Sequence, residues 1–147
     1  MKATRRTTLL LAVGLLVAAC AAPTAKPPSS PPAVTVEKNA SSGLARVTLS
    51  QKAADRLGIQ TAAVETAPVA GSARTVIPYA AVLYDAQGST WAYTNPQGLV
   101  FIRAGITIDQ IEGDRAILSG GPDAGTKVVT VGAPELYGAE TGVGGGH

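Results

Sequence analysis

Cysteine, histidine, tryptophan, phenylalanine and methionine each occur once in the 147 residues. A lone cysteine excludes an internal disulfide framework. The lone histidine, His147, is the last residue and follows three glycines. A nucleophile and its base must be held within hydrogen-bond reach and oriented by a third group, and a terminal histidine on glycines is held by nothing. No catalytic constellation is present, so the expected role is non-catalytic, with no cofactor. Charged residues make up only 15% of the chain. Three of the twelve basic residues (Lys2, Arg5 and Arg6) lie at the extreme N-terminus, leaving nine Lys and Arg against ten Asp and Glu in the remainder. That balance supplies no basic footprint for nucleic acid.

The longest apolar run, Leu9–Ala19, is too short to span a bilayer, which takes roughly 20 apolar residues. With its basic start and small residues at its end, the run reads as a secretory signal. Val17-Ala18-Ala19-Cys20 resembles the bacterial lipobox, in which the cysteine becomes the lipidated N-terminus. Residues 1–19 are then a lipoprotein signal peptide and Cys20 is the lipidation site, its sulfur a thioether to membrane lipid. An ordinary cleaved signal with an incidental free thiol is the alternative. Arg5-Arg6 echoes twin-arginine export, but Thr8 departs from that motif and favours the general secretory route. Several acyl chains anchor stably where one is marginal. The mature chain is therefore expected on the periplasmic side of the envelope, tethered to the inner or the outer membrane.

Residues 20–42 carry five of the ten prolines and are expected to be a linker. Twenty residues of polyproline II, at about 3.1 Å each, reach up to ~60 Å from the bilayer. A mainly β domain is expected over 43–138, as a small antiparallel barrel-like or roll-like fold with one short helix. Leu44–Leu49 is a strand. Ser50 caps a helix over Gln51–Leu57, which Gly58 ends. Ile59–Val69 is one strand, and Gly71–Ala73 a short joint. Val82–Tyr84 and Trp91–Thr94 form a hairpin across Asp85–Ser89. Asn95-Pro96-Gln97-Gly98 matches a type I turn. Leu99–Ile108 is the strongest strand. It places Val100, Ile102, Ala104, Ile106 and Ile108 on one face, and Leu99, Phe101, Arg103 and Thr107 on the other. Arg115–Leu118 and Lys127–Val131 complete the set. Leu136 and Tyr137 are expected to dock on the sheet, and 139–147 to be a flexible glycine-rich tail.

Three stretches carry a resemblance. VTLSQKAADRLGIQTAAVE, IPYAAVLYDAQGSTWAYT and GDRAILSGGPDAGTKVVTVGA are similar, in this order, to segments of periplasmic adaptors, the membrane fusion proteins of RND efflux pumps. The heavy-metal branch is the nearest within that family. The resemblance covers about Leu44–Tyr137 and implies the membrane-proximal β domain, which adaptors build from both ends of their chain. Adaptors insert a lipoyl domain and a long helical hairpin between the first and second stretches. Here only Ala70–Ala73 separate Val69 from Arg74. Gly121 stands where the family usually has leucine.

The resemblance implies a lipid-anchored, non-catalytic accessory that docks on an RND transporter or on a full-length adaptor. The alternative is an envelope lipoprotein, unconnected with efflux, that binds another partner or a metal ion. The metal candidates are Asp109, Glu112 and Asp114 around one turn, suited to a hard cation such as Ca²⁺, together with His147. A solvated turn is the simpler account of the three carboxylates.

Overall fold

The computed structural model describes residues 32–38 and 43–142. The lipobox, Cys20, the first part of the linker and His147 lie outside the described residues. The elements run β1 (Val34–Lys38), β2 (Ala45–Leu49), α1 (Gln51–Leu57), β3 (Gln60–Ala63), β4 (Glu65–Val69), β5 (Ser72–Pro78), a 3₁₀ turn (Tyr79–Ala81) and β6 (Leu83–Tyr84). They continue with β7 (Thr90–Gln97), β8 (Val100–Gly105), β9 (Thr107–Glu112), β10 (Arg115–Gly120), β11 (Lys127–Val131) and α2 (Ala133–Thr141). The fold is mainly β, built from two antiparallel sheets. The larger has the order β1-β2-β8-β7-β11-β3, with β6 on β7, and the smaller has the order β4-β5-β10-β9.

Helix α1 forms where its caps place it. The Ser50 hydroxyl accepts from the Ala53 amide at 3.3 Å, and Gly58 closes the helix at φ +62°, a conformation that costs glycine little. Ala53 and Ala54 are buried on its inner side.

Strand alternation then divides the core in two. On β7, Tyr93 points to one face of the large sheet and Ala92 to the other; on β11, Val129 and Val128 do the same. The first core joins Val47, Leu49, Tyr93, Phe101 and Val129 to Ala53 and Ala54 of α1 and to Ala133 and Leu136 of α2. The second lies between the sheets, where Ala92 and Val128 meet Val64, Ile77, Ala116 and Leu118. The large sheet is thus covered by helices on one side and by the small sheet on the other.

Two expected strands are broken by this arrangement. Ile59–Val69 is not one strand: β3 belongs to the large sheet and β4 to the small one. The crossing residue, Val64, is 2% exposed. Its amide donates to Thr126 O at 2.8 Å, and its carbonyl accepts from Gly125 N at 2.8 Å. Leu99–Ile108 likewise divides at Ile106, which is 6% exposed. Ile106 N donates to Thr90 O at 3.0 Å, and Thr90 Oγ1 donates to Ile106 O at 2.6 Å. The five-residue apolar alternation is therefore not one continuous face. Phe101, from the opposite row, is the fully buried residue of β8, while Val100, Ile102 and Ala104 are half-buried. In both cases a buried apolar residue at the corner lets one run of sequence serve two sheets.

Other boundaries also move. The Gly71–Ala73 joint is a two-residue hairpin, Ala70-Gly71, because Val69 pairs with Ser72. The turn expected at Asn95–Gly98 closes instead at Gly98-Leu99, with Gln97 opposite Val100. Asn95 Nδ2 braces it by donating to the carbonyls of Gly98 and Val100. Val34–Lys38, expected within the linker, pairs with all five residues of β2. Among the described residues there are two α-helices rather than one, and Ala139–Thr141, expected in the tail, complete α2. Pro134 in the first turn suits a helix start, where its missing N–H has no intrahelical partner to lose. Leu136 does dock, fully buried.

Candidate functional site

Arg103 lies in the middle of β8, on the helix-covered face of the large sheet, where β8 runs beside β7. A guanidinium cannot lose its charge there, so the surroundings must satisfy it. Helix α2 brings Glu140 to it: Nε lies 3.0 Å from Oε1 and 2.9 Å from Oε2. The two side chains are only 15% and 6% exposed. The guanidinium carbon sits 4.6 Å from the Trp91 ring centroid and 5.3 Å from that of Tyr137, within cation–π range. The Tyr93 hydroxyl donates to Glu140 Oε2. At the outer end, the Trp91 indole N–H donates to Asp85 Oδ2 at 2.9 Å.

These contacts shift two ionisations. Burial first, then the hydrogen bond to Glu140 and its negative charge, push the Tyr93 phenol far above the usual tyrosine range. The Trp91 indole first, then the Ser89 and Gln87 amides, hold the exposed Asp85 carboxyl below its ordinary value. Glu140 is engaged by both Arg103 and Tyr93, so its carboxylate is an occupied acceptor, not an open base. The cluster fastens α2 to the sheet.

Two depressions are lined in part by α1. One is an apolar groove of about 500 Å³ lined by Val34 and Val36 of β1, Leu49 of β2, Leu57 of α1 and Glu135 and Ala139 of α2. The other is a cleft of about 540 Å³ between α1, β3 and the β7–β8 turn, with Gln51, Asp55, Gln60, Thr61 and Asn95 around Phe101. Elsewhere, Tyr79 and Tyr84 are 41% and 52% exposed. The neighbouring Tyr79 hydroxyl leads the causes that raise the Tyr84 phenol above its usual range.

Two of the three carboxylates near the acidic turn are engaged by other side chains. Asp109 lies within β9 and pairs with Arg74 at 2.7 Å. Glu112 accepts from Gln110 at 2.6 Å and lies 3.5 Å from Arg115. Asp114 occupies the hairpin turn, where its carbonyl accepts from the Tyr79 amide. Among the described residues no group of three His, Cys, Asp or Glu side chains is placed to share an ion. Cys20 and His147 lie outside the described residues. Among the described residues, no helix is long and apolar enough to cross a membrane.

The Arg103–Glu140 pair is not expected from the sequence, because Glu140 falls within the expected tail. A signal was present: Leu136, Tyr137 and Glu140 follow Pro134 at helical spacing, and Arg103 interrupts an apolar strand.

Comparison with protein-family models, with curated proteins and with solved structures finds no match to this chain.

Proposed function

We propose that this is a lipid-anchored envelope protein that acts as a non-catalytic accessory of an RND efflux system, docking through its β domain on a transporter or on a full-length adaptor. The observation that carries the reading is how the two halves of the chain are joined. β2, from the N-terminal stretch, pairs with β8, and β3 pairs with β11. An adaptor's membrane-proximal domain is expected to be built from both chain ends in this way. The Ala70-Gly71 hairpin falls where adaptors carry their reaching arm. An arm inserted there would leave and re-enter on adjacent antiparallel strands without disturbing either sheet. This chain closes the position with two residues.

Docking also has surface to work with. Tyr79, Tyr84, Ile111 and Val131 are large apolar residues between 41% and 52% exposed. A lipid tether with a proline-rich linker would raise the local concentration of that surface at the membrane, which strengthens a weak contact without new interactions.

Crosslinking in membranes of the native bacterium, followed by mass spectrometry of the captured partners, tests the reading. Recovery of a transporter or adaptor is the expected result. Recovery of neither under conditions that induce efflux refutes it.

A further inference from the structure

The sheets end in edges, and all but one carry a charge or a proline or are only two residues long. Charges, proline, bulges and shortness are the usual devices. β1 ends in Glu37 and Lys38. β4 carries Pro68, which has no N–H to offer. β9 carries Asp109 and Glu112 and has register shifts against β10. β6 is two residues long. β3, Gln60-Thr61-Ala62-Ala63, has no charge and no proline, and its register shift against β11 falls at the Gln60 end, leaving Thr61, Ala62 and Ala63 in regular pairing. It is the terminal strand of the large sheet on its side.

The bonding direction of β3 follows from its crossing residue. Val64 bonds inward through both backbone groups, to Thr126 and Gly125. Bonding direction alternates along an antiparallel strand, so Ala62, opposite Val128, also bonds inward. Thr61 and Ala63 therefore direct their N–H and C=O groups to the open side.

Beside this edge lies the cleft lined by Gln60 and Thr61 of β3 itself. Thr61 is opposite Val129, on the helix-covered face. A residue added across from Thr61 would stand on that same face, over the cleft. The ionisable residue lining the cleft is Asp55. Its Oδ1 accepts from Gln51 Nε2 at 2.8 Å, and among the described residues no hydrogen bond engages Oδ2. Phe101 and Leu99 supply apolar lining for an aliphatic stem.

We propose that β3 is a strand-addition site for an extended peptide segment carrying a lysine or arginine. The peptide backbone pairs with Thr61 and Ala63, and the basic side chain enters the cleft toward Asp55. The negative charge of the cleft selects the basic residue, while main-chain bonds supply sequence-tolerant affinity, as in other strand-addition modes. A second copy of the chain is the weaker occupant: β3 has no basic residue to place over Asp55.

The test is selection of a displayed library of randomised peptides on the full chain in detergent. Selected peptides are then titrated, and amide hydrogen exchange is followed. The expected result is enrichment of extended sequences with Lys or Arg, and slowed exchange at Thr61 and Ala63 in the complex. Asp55→Lys lies on the exposed side of α1 and should weaken binding at least about tenfold, the loss expected for one charge-assisted hydrogen bond. Ala63→Pro removes an outward donor that β11 does not use and should abolish binding while leaving the circular dichroism unchanged. If Ala63→Pro unfolds the chain, the Asp55→Lys affinity and the exchange pattern decide. Absence of enrichment, slowed exchange elsewhere, or unchanged affinity in Asp55→Lys overturns the proposal. A concentration-dependent dimer that protects the same two amides assigns the edge to a second copy and overturns the peptide.

Discussion

Arg103 and Glu140 meet across 37 residues of sequence, with Arg103 Nε 2.9 Å from the nearer carboxylate oxygen. This pair adds to buried Ala133 and Leu136 in holding the last helix on the domain. Removing one partner of a largely buried ion pair leaves the other charge uncompensated, at a cost of about 3 kcal/mol or more. Glu140→Ala and Arg103→Ala should each lower stability by that order in denaturant titration. The double variant should lose less than the sum of the two, because the residues share one interaction.

Tyr93 gives the same network a pH signature. Its phenol is raised in the folded state, so the stability it contributes is complete below the unfolded value near pH 10 and is lost as pH rises above it. The unfolded chain releases a proton there that the folded chain keeps, and stability should fall by up to about 1.4 kcal/mol per pH unit. Tyr93→Phe should flatten that alkaline limb. Asp85 acts at the other end. Its folded value is lowered, so its contribution is present above the ordinary carboxyl range and lost as pH falls through the folded value. Unfolding curves of Asp85→Asn at neutral and acidic pH check this.

Ala70 is the one described non-glycine residue at positive φ, +49°, followed by Gly71 at +82°. Two successive positive φ values are what a type I′ hairpin needs, and Asn-Gly is its preferred pair. Ala70→Asn should therefore raise stability by about 0.5–1 kcal/mol, visible as a higher melting temperature. The left-handed conformation penalises alanine by about 1–2 kcal/mol, so Gly71→Ala should lower it.

Gly132 precedes α2 at φ +90°, and a Cβ there would lie 2.2 Å from Ile59 Cδ1. The Ile59 methyl can turn aside, so Gly132→Ala should cost chiefly the backbone strain at this φ, about 1–3 kcal/mol. Gly121 has a related constraint. A Cβ would come within 3.1 Å of both Ile106 and Leu118, so Gly121→Leu should destabilise the chain rather than supply an apolar anchor. Thermal melts of both variants measure the effects.

The metal reading predicts heat on calcium addition, whereas the ion pairs of Asp109 and Glu112 predict none. Isothermal titration with Ca²⁺ should be flat. Asp109→Asn breaks an exposed pair, 31% and 51% accessible at its two side chains, and should change stability by less than about 1 kcal/mol. The lipid anchor is separately testable. Cys20→Ala should leave the chain soluble or with an uncleaved signal in membrane fractionation.

Local signals were legible in the sequence, and long-range ones were not. Ser50 and Gly58 bracket α1 to the residue, because a cap is a local hydrogen bond and a left-handed turn a local conformation. The corners at Val64 and Ile106 left no local trace. A residue that turns into the core between two sheets reads like any other apolar residue in a strand. β1 was hidden by neighbouring prolines, although Val34, Val36 and β2 supply a partner. Glu140 was hidden by the glycines around it: helix propensity there is low, and the contact that fixes it comes from Arg103. Of the candidate sites, the carboxylates near Gly113 were visible as a cluster in sequence. Their dispersal onto Arg74, Gln110 and Arg115 depends on strand register.

The pairing of β3 with β11 has a consequence for how the molecule reaches its fold. Neither pairing of β11, with β7 or with β3, can form until Lys127–Val131 is available, and α2 cannot seat until β8 is in place. Contacts so distant in sequence carry a loop-closure cost before they are rewarded, and folding is correspondingly slow. On the proposed export route, in which the chain is threaded across a membrane as an extended polymer, that delay is an advantage. Its strands have no complete partner set while residues are still being delivered, so premature closure on the wrong side is disfavoured.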